Sequence, residues 1–312
     1  MITRSEDRRV QDSLPQSWVD RAPRAIRPYL RLARYDRPAG FWLLGLPGWA
    51  GIALAGIGRG YGAADLLWAL LIALGAVAMR GAGCTYNDIV DRDLDAQVAR
   101  TADRPLAAGT VTLRAAWAFL LAQCLAGLAV LLLLPLPAQI VALGSIPLVA
   151  GYPFMKRLTW WPQAWLGLTF NWAALVGFAA ASGTLGAPGL ILYAGLVFWT
   201  LGYDTIYACQ DKEDDALVGV KSTARLFGAH APLWVAAFYA VCAIAAAAAG
   251  YAAGLSWIAA LAALPFAAHL GWQAARFRPD DGALCLGLFK SNREAGLLLA
   301  AGYASVQLFL LA

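Results

Sequence analysis

Two stretches of this sequence concentrate carboxylates at helical spacing. The first is Asn87-Asp88-Ile89-Val90-Asp91-Arg92-Asp93-Leu94-Asp95. The second is Asp211-Lys212-Glu213-Asp214-Asp215, with Asp204 upstream. Asn87, Asp91 and Asp95 are four apart, so they share one face of a helix. Asp204, Asp211 and Asp215 share a face in the same way. Asp91 lies 120 residues before Asp211, and Asp95 lies 120 before Asp215, a weak internal repeat. Stacked carboxylates repel one another, and a hard divalent cation relieves that repulsion through oxygen ligands. Magnesium takes only one or two protein carboxylates and fills its shell with water and substrate phosphate. Two such aspartate faces suit a diphosphate held through Mg2+. The competing reading is a pair of solvated acidic loop ends, neutralised by Lys and Arg.

Basic residues accompany both clusters. Arg100 and Arg104 follow the first, and Lys221 follows the second. Tyr152 and Lys156 are four apart, so the hydroxyl and the ammonium share a helix face. Arg37 and Pro38 precede the first long apolar run. Arg and Lys clamps stabilise charge that develops on a phosphate leaving group. For any one of these residues alone, ordinary loop charge is the competing reading.

The elements that must hold these groups are membrane helices. The chain has 312 residues, of which 61% are hydrophobic and 14% charged, against roughly 45–50% and 25% in soluble domains. That balance excludes a disordered chain. Five cysteines in this length exclude a disulfide scaffold. A crossing helix needs about 20 mostly apolar residues. Nine candidates run near 40–58, 64–84, 113–134, 137–155, 161–182, 189–209, 231–250, 253–272 and 294–311, with charged loops at about 85–112, 210–230 and 273–293. With the N-terminus cytoplasmic, only Arg59 of 24 Lys and Arg falls in an outer loop, as the positive-inside rule expects. The net charge of +5 then reflects attraction to anionic lipid. No basic–aromatic array marks a nucleic-acid binder, and no protein partner is implied.

Residues 1–39 form a polar, basic N-terminal segment, and 40–312 form the nine-span domain. The segment lacks an apolar signal region, and its acids argue against a transit peptide. Within 24–34, Ile26, Tyr29, Leu30 and Ala33 lie near one face and Arg24, Arg27, Arg31 and Arg34 largely on the other. That pattern reads as an interfacial helix or as a basic tail.

Together these motifs resemble the UbiA-type intramembrane aromatic prenyltransferases. The run from Asn87 to Asp95 with Arg100-Thr-Ala-Asp-Arg104-Pro-Leu resembles that family's first motif. Tyr203-Asp204-Thr-Ile-Tyr207, Asp211-x-x-x-Asp215 and Gly219-Val-Lys221-Ser222-Thr223 resemble the second. Tyr152-Pro-Phe-Met-Lys156-Arg157 matches its Tyr-x-x-x-Lys element, and Arg34-Tyr-Asp36-Arg37-Pro38 its opening segment. The details are most similar to the para-hydroxybenzoate polyprenyltransferase branch of ubiquinone synthesis. Asp93 and Glu213 add acid beyond the family pattern and have no assigned role.

The resemblance implies an all-α membrane protein, nine helices in a bundle around a central cavity, with the N-terminus cytoplasmic. It implies that Asp91, Asp95, Asp211 and Asp215 bind Mg2+ and the polyprenyl diphosphate, with Asn87 and Asp88 orienting metal or phosphate. Arg100, Arg104, Lys156, Lys221 and Tyr152 would neutralise the leaving group. The phenol would then be alkylated ortho to its hydroxyl. Either Asp204 or the released pyrophosphate would take the ring proton. Arg37 would bind the aromatic carboxylate or the phosphate. The expected setting is multi-pass in a bacterial inner (cytoplasmic) membrane, with the site facing the cytoplasm. Two alternatives stay open: another aromatic acceptor, or a secondary transporter. The transporter is disfavoured by depth, since the acids lie at helix ends and not mid-span. Cys84, Cys124, Cys209, Cys242 and Cys285 show no metal spacing and read as small apolar residues, and His230 and His269 are isolated. No glycine-rich nucleotide loop is present.

Overall fold

The structure is a computed structural model that describes residues 13, 16–97, 101–212, 216 and 219–310. Among the described residues there is no strand. The helices are α1 (Arg27–Leu32), α2 (Ala39–Arg59), α3 (Ala63–Asp95), α4 (Leu113–Leu132), α5 (Leu136–Leu143), α6 (Ile146–Leu158), α7 (Pro162–Phe170) and α8 (Trp172–Ser182). They continue as α9 (Ala187–Ala208), α10 (Thr223–Phe227), α11 (Ala231–Gly254), α12 (Trp257–Leu261), α13 (Leu264–Arg276), α14 (Gly282–Lys290) and α15 (Asn292–Leu310). Short 3-10 turns cover Trp18–Arg21 and Cys209–Asp211.

Eight stretches are long and apolar enough to cross a membrane: Ala39–Arg59, Ala63–Asp95, Leu113–Leu132, Leu136–Leu158, Pro162–Ser182, Ala187–Ala208, Thr223–Gly254 and Trp257–Arg276. The ninth expected span forms a helix, α15, but falls outside that set; it opens on the charged pair Arg293 and Glu294. The chain is therefore an all-helical multi-pass membrane protein with eight such spans among the described residues. Four of these stretches are interrupted, at 228–230 by a 3-10 turn, at 262–263 between α12 and α13, and at two further points. Gly144 and Ser145 separate α5 from α6, and Asn171 separates α7 from α8.

The chain divides into two compact units: Met1–Trp42 with Ala73–Leu131, and Leu43–Ile72 with Leu132–Ala312. The smaller unit has a core of Leu32, Leu106, Val111 and Ala116, with Tyr29, Ile89 and Phe119 packed on it. Tyr29 meets Phe119 edge to face at 5.3 Å. This cluster ties α1, the loop before α4, α4 itself and the C-terminal part of α3 together.

The larger unit is built on α9. Leu192, Leu196, Trp199, Tyr203 and Ile206 are fully buried, as are Val235 and Tyr239 of α11 and Tyr303 of α15. Lipid offers no hydrophobic drive between helices, so close packing at small residues holds them. Gly51 of α2 stands against the carbonyl of Ala174, and Gly177 of α8 against that of Gly48, where a Cβ would strike backbone. Several buried polar side chains pair inside this unit. Trp199 Nε1 donates to Asn292 Oδ1 at 2.7 Å, Tyr239 OH to Gln273 Oε1 at 2.6 Å, and Asn171 Nδ2 to Thr200 Oγ1 at 2.7 Å.

Candidate active site

The first acidic cluster sits on helix, not loop. The sequence places a loop from about 85, yet α3 has 33 residues and continues to Asp95. At about 1.5 Å per residue such a helix is roughly 50 Å long. That exceeds the roughly 30 Å hydrocarbon core, so its last turns can carry charge outside the apolar layer. The buried stripe differs by one position from the expected one. Asp88, Asp91 and Asp95 are 1%, 0% and 4% exposed, while Asn87 is half-buried. Spacings of three and four place these three aspartates on one face. Asp93 points to solvent, its side chain 84% exposed beside Arg92.

Arginines neutralise that stripe. Arg34 forks onto Asp88, with Nη2 to Oδ1 at 2.7 Å and Nη1 to Oδ2 at 3.1 Å. Arg104 Nη1 donates to Asp95 Oδ2 at 2.7 Å and lies 3.5 Å from Asp88 Oδ1. Thr101 Oγ1 donates to the Asp95 carbonyl at 2.8 Å. Burial works against the charge on Arg34, but Asp88 overcomes it and raises the guanidinium above its ordinary value.

Arg34 was matched to the family's opening segment without a role, and the structure supplies one. It closes α1 in the left-handed region at φ +62°, a conformation that costs a residue with a Cβ about 1–2 kcal/mol. The Tyr35 amide returns to the Leu30 carbonyl at 3.0 Å, as in the six-to-one bond of a Schellman stop. The sequence signal was an arginine where glycine is usual after a helix. The expected arginine-out face of residues 24–34 is also corrected. The helix has only six residues, and Arg31 and Arg34 turn inward onto Asp20 and Asp88 while Ile26 is exposed. Arg37 stays near its own neighbour, with Nη2 3.1 Å from Oδ2 of the buried Asp36.

The second cluster is arranged differently. Helix α9 ends at Ala208, and Cys209–Asp211 form a 3-10 turn. Asp204 and Asp211 therefore do not share one continuous helical face, which corrects the expectation from spacing. Asp204 is half-buried on α9. Arg100, Glu213 and Asp215 lie outside the described residues. Beside Asp204, Tyr203 is buried against Trp199 at 5.4 Å, and Tyr207 meets Phe289 at 4.5 Å.

Tyr152 and Lys156 are both half-buried on α6, as their spacing predicts. The Lys221 amide donates to the Lys156 carbonyl at 3.1 Å, and Lys221 Nζ to the Leu158 carbonyl at 3.3 Å. Thr223 anchors the same loop, its amide on Gln163 Oε1 at 3.0 Å and its hydroxyl 2.7 Å from Thr205. The structure thus brings Lys156 and Lys221 together on neighbouring strands of backbone. Four cysteines are buried as expected, and Cys124 is exposed on α4. Cys209 and Cys285 share a hydrogen bond that pushes the Cys209 thiol up.

Oxygen-only donors on α3 are the right chemistry for Mg2+. Among the described residues no three carboxylates or other ligating side chains converge on one point. Two of the three buried aspartates instead hold arginines. The donor set fits a magnesium shared with phosphate oxygens rather than an all-protein cage.

A sequence profile of the UbiA prenyltransferase family matches residues 44–298. The chain belongs to that family. The 4-hydroxybenzoate polyprenyltransferase, mitochondrial, of Arabidopsis thaliana is 44% identical over 291 residues, covering 92% of this chain and 70% of its own. The apo structure of a UbiA homolog from Aeropyrum pernix K1 is 28% identical with a TM-score of 0.67, covering 87% of this chain and 98% of its own. A UbiA homolog from Archaeoglobus fulgidus, solved bound to GPP and Mg2+, shares the fold at a TM-score of 0.62, with 20% identity, covering 90% of this chain and 99% of its own. This UbiA family member is thus a prenyltransferase by family.

Proposed function

We infer that this chain transfers a polyprenyl group from a polyprenyl diphosphate to the ring carbon ortho to the hydroxyl of para-hydroxybenzoate, releasing pyrophosphate, as a step of ubiquinone biosynthesis. The carrying observation is the buried aspartate stripe of α3, held by arginines at the end of a membrane-length helix. Supporting it are the similar protein named 4-hydroxybenzoate polyprenyltransferase and the related fold solved with GPP and Mg2+.

In this reading Asp91 and Asp95 of the first cluster, and Asp211 and Asp215 of the second, hold Mg2+. When bound, Mg2+ supplies positive charge to the departing diphosphate. Asn87 helps orient the phosphate. Arg100, Arg104, Lys156 and Lys221 add positive charge to the leaving group, and the Tyr152 hydroxyl donates a hydrogen bond. The C–O bond of the allyl diphosphate breaks, leaving an allylic cation and pyrophosphate. Water would quench that cation, so the site must be dry, and aromatic faces such as Tyr203 and Tyr207 suit it. The ring carbon attacks, a C–C bond forms, and the ring proton passes to Asp204 or to pyrophosphate. Arg37 receives the benzoate carboxylate or a phosphate oxygen. The site faces the Lys- and Arg-rich side, the cytoplasm of a bacterial inner membrane. No nucleic acid or protein partner is required.

The test is a competition assay. Purified protein receives Mg2+, one prenyl diphosphate and several aromatic acceptors, and products are weighed by mass spectrometry. Prenylated para-hydroxybenzoate is expected to dominate. Product on another acceptor alone would move the chain to a different branch.

A further inference from the structure

The ion pairs of the first cluster form a chain of alternating charge: Arg34, Asp88, Arg104, Asp95. Arg34 occupies both oxygens of Asp88 at 2.7 and 3.1 Å, and Arg104 stands 3.5 Å from one of them. Asp88 is 1% exposed, and both its oxygens already face guanidinium rather than open space. Arg104 is 2.7 Å from Asp95 on its other side. Its Nε is buried and has no hydrogen-bond partner. A buried, unpartnered guanidinium N–H is costly unless something accepts from it, and a phosphate oxygen is its natural acceptor.

We propose that Arg34 and Asp88 are a positioning pair: they hold Arg104 so that its Nε edge meets a phosphate oxygen of the prenyl diphosphate, and Asp88 is not a metal ligand. The proposal rests on the reading above for the identity of the anion. It changes the expected role of Asp88 from orienting metal or phosphate to orienting an arginine. The left-handed backbone at Arg34 fits this role. It turns the side chain back toward α3 directly after a helix of only six residues.

The experiment uses the full chain purified in detergent. Arg34→Gly removes the guanidinium while suiting the φ of this position, and Asp88→Asn keeps the shape of the carboxylate. Asp91→Asn serves as the metal-ligand comparison. Each protein is assayed for KM of the prenyl diphosphate and for the Mg2+ concentration at half-maximal rate. In parallel, inorganic pyrophosphate is titrated against the melting temperature at fixed Mg2+. Arg34→Gly and Asp88→Asn should each raise KM and the half-saturating pyrophosphate roughly 10- to 100-fold, as loss of an orienting partner does. Their Mg2+ requirement should match wild type, and the double variant should be no worse than the worse single. Asp91→Asn should raise the Mg2+ requirement. A raised Mg2+ requirement in Asp88→Asn, or additive losses in the double variant, would overturn the proposal. If wild type transfers no prenyl group at all, the reading of the reaction fails, and the pyrophosphate titration still decides the positioning claim.

Discussion

In the first acidic region one α-helix runs through the motif, whereas α9 passes into a 3-10 turn at Cys209–Asp211 as the second motif begins. Helix α3 runs to Asp95, so Asp88, Asp91 and Asp95 occupy one buried stripe. Helix α9 stops at Ala208, and Asp211 sits in a 3-10 turn. The two clusters match in sequence spacing to the residue, yet their local geometry differs. Order along the chain and backbone conformation are thus separable properties of such a repeat. The first region is fixed by ion pairs that reach back to Arg34 and forward to Arg104. After the second, the segment Lys221–Thr223 is laced to the ends of α6, α7 and α10.

The comparison yields three predictions in descending size. Asp91→Ala and Asp211→Ala should each abolish turnover while the protein remains folded and inserted, because in the proposed reading both regions hold the metal. Near-normal transfer by either variant would show that its region is not part of the metal site. Asp88→Ala should lower stability by about 3 kcal/mol, since it leaves a buried guanidinium without its main counter-charge. Thermal melting of the variant checks this, and an unchanged midpoint would mean the ion-pair chain does not hold the first region. Ser222→Ala should cost about 1 kcal/mol, because its hydroxyl caps α10 by accepting from the Arg225 amide. The same melting assay reads it, and a loss as large as that of Asp88→Ala would erase the contrast between the regions.

Much of this was legible in the sequence for physical reasons. Apolar length alone locates eight of the nine expected spans, because the bilayer sets a minimum helix length. The four-residue spacing of Tyr152 and Lys156 held because α6 is continuous across them. The same rule misled at Asp204 and Asp211, where the helix terminates between them. Spacing carries no information about where a helix stops when no glycine or proline marks the place. On α3 the spacing selected Asn87, and burial selected Asp88, because Arg34 lies on that side. That arginine is 54 residues away along the chain, and such a pairing leaves no local trace. Its one clue was an arginine at a helix stop.

The most direct measurement is the mass of the product formed by purified protein given Mg2+, a polyprenyl diphosphate and para-hydroxybenzoate. The account predicts para-hydroxybenzoate carrying one prenyl chain on a ring carbon ortho to the hydroxyl, with one pyrophosphate released per product and no product without Mg2+. Absence of any prenylated aromatic under these conditions, from protein shown to be folded, would contradict it.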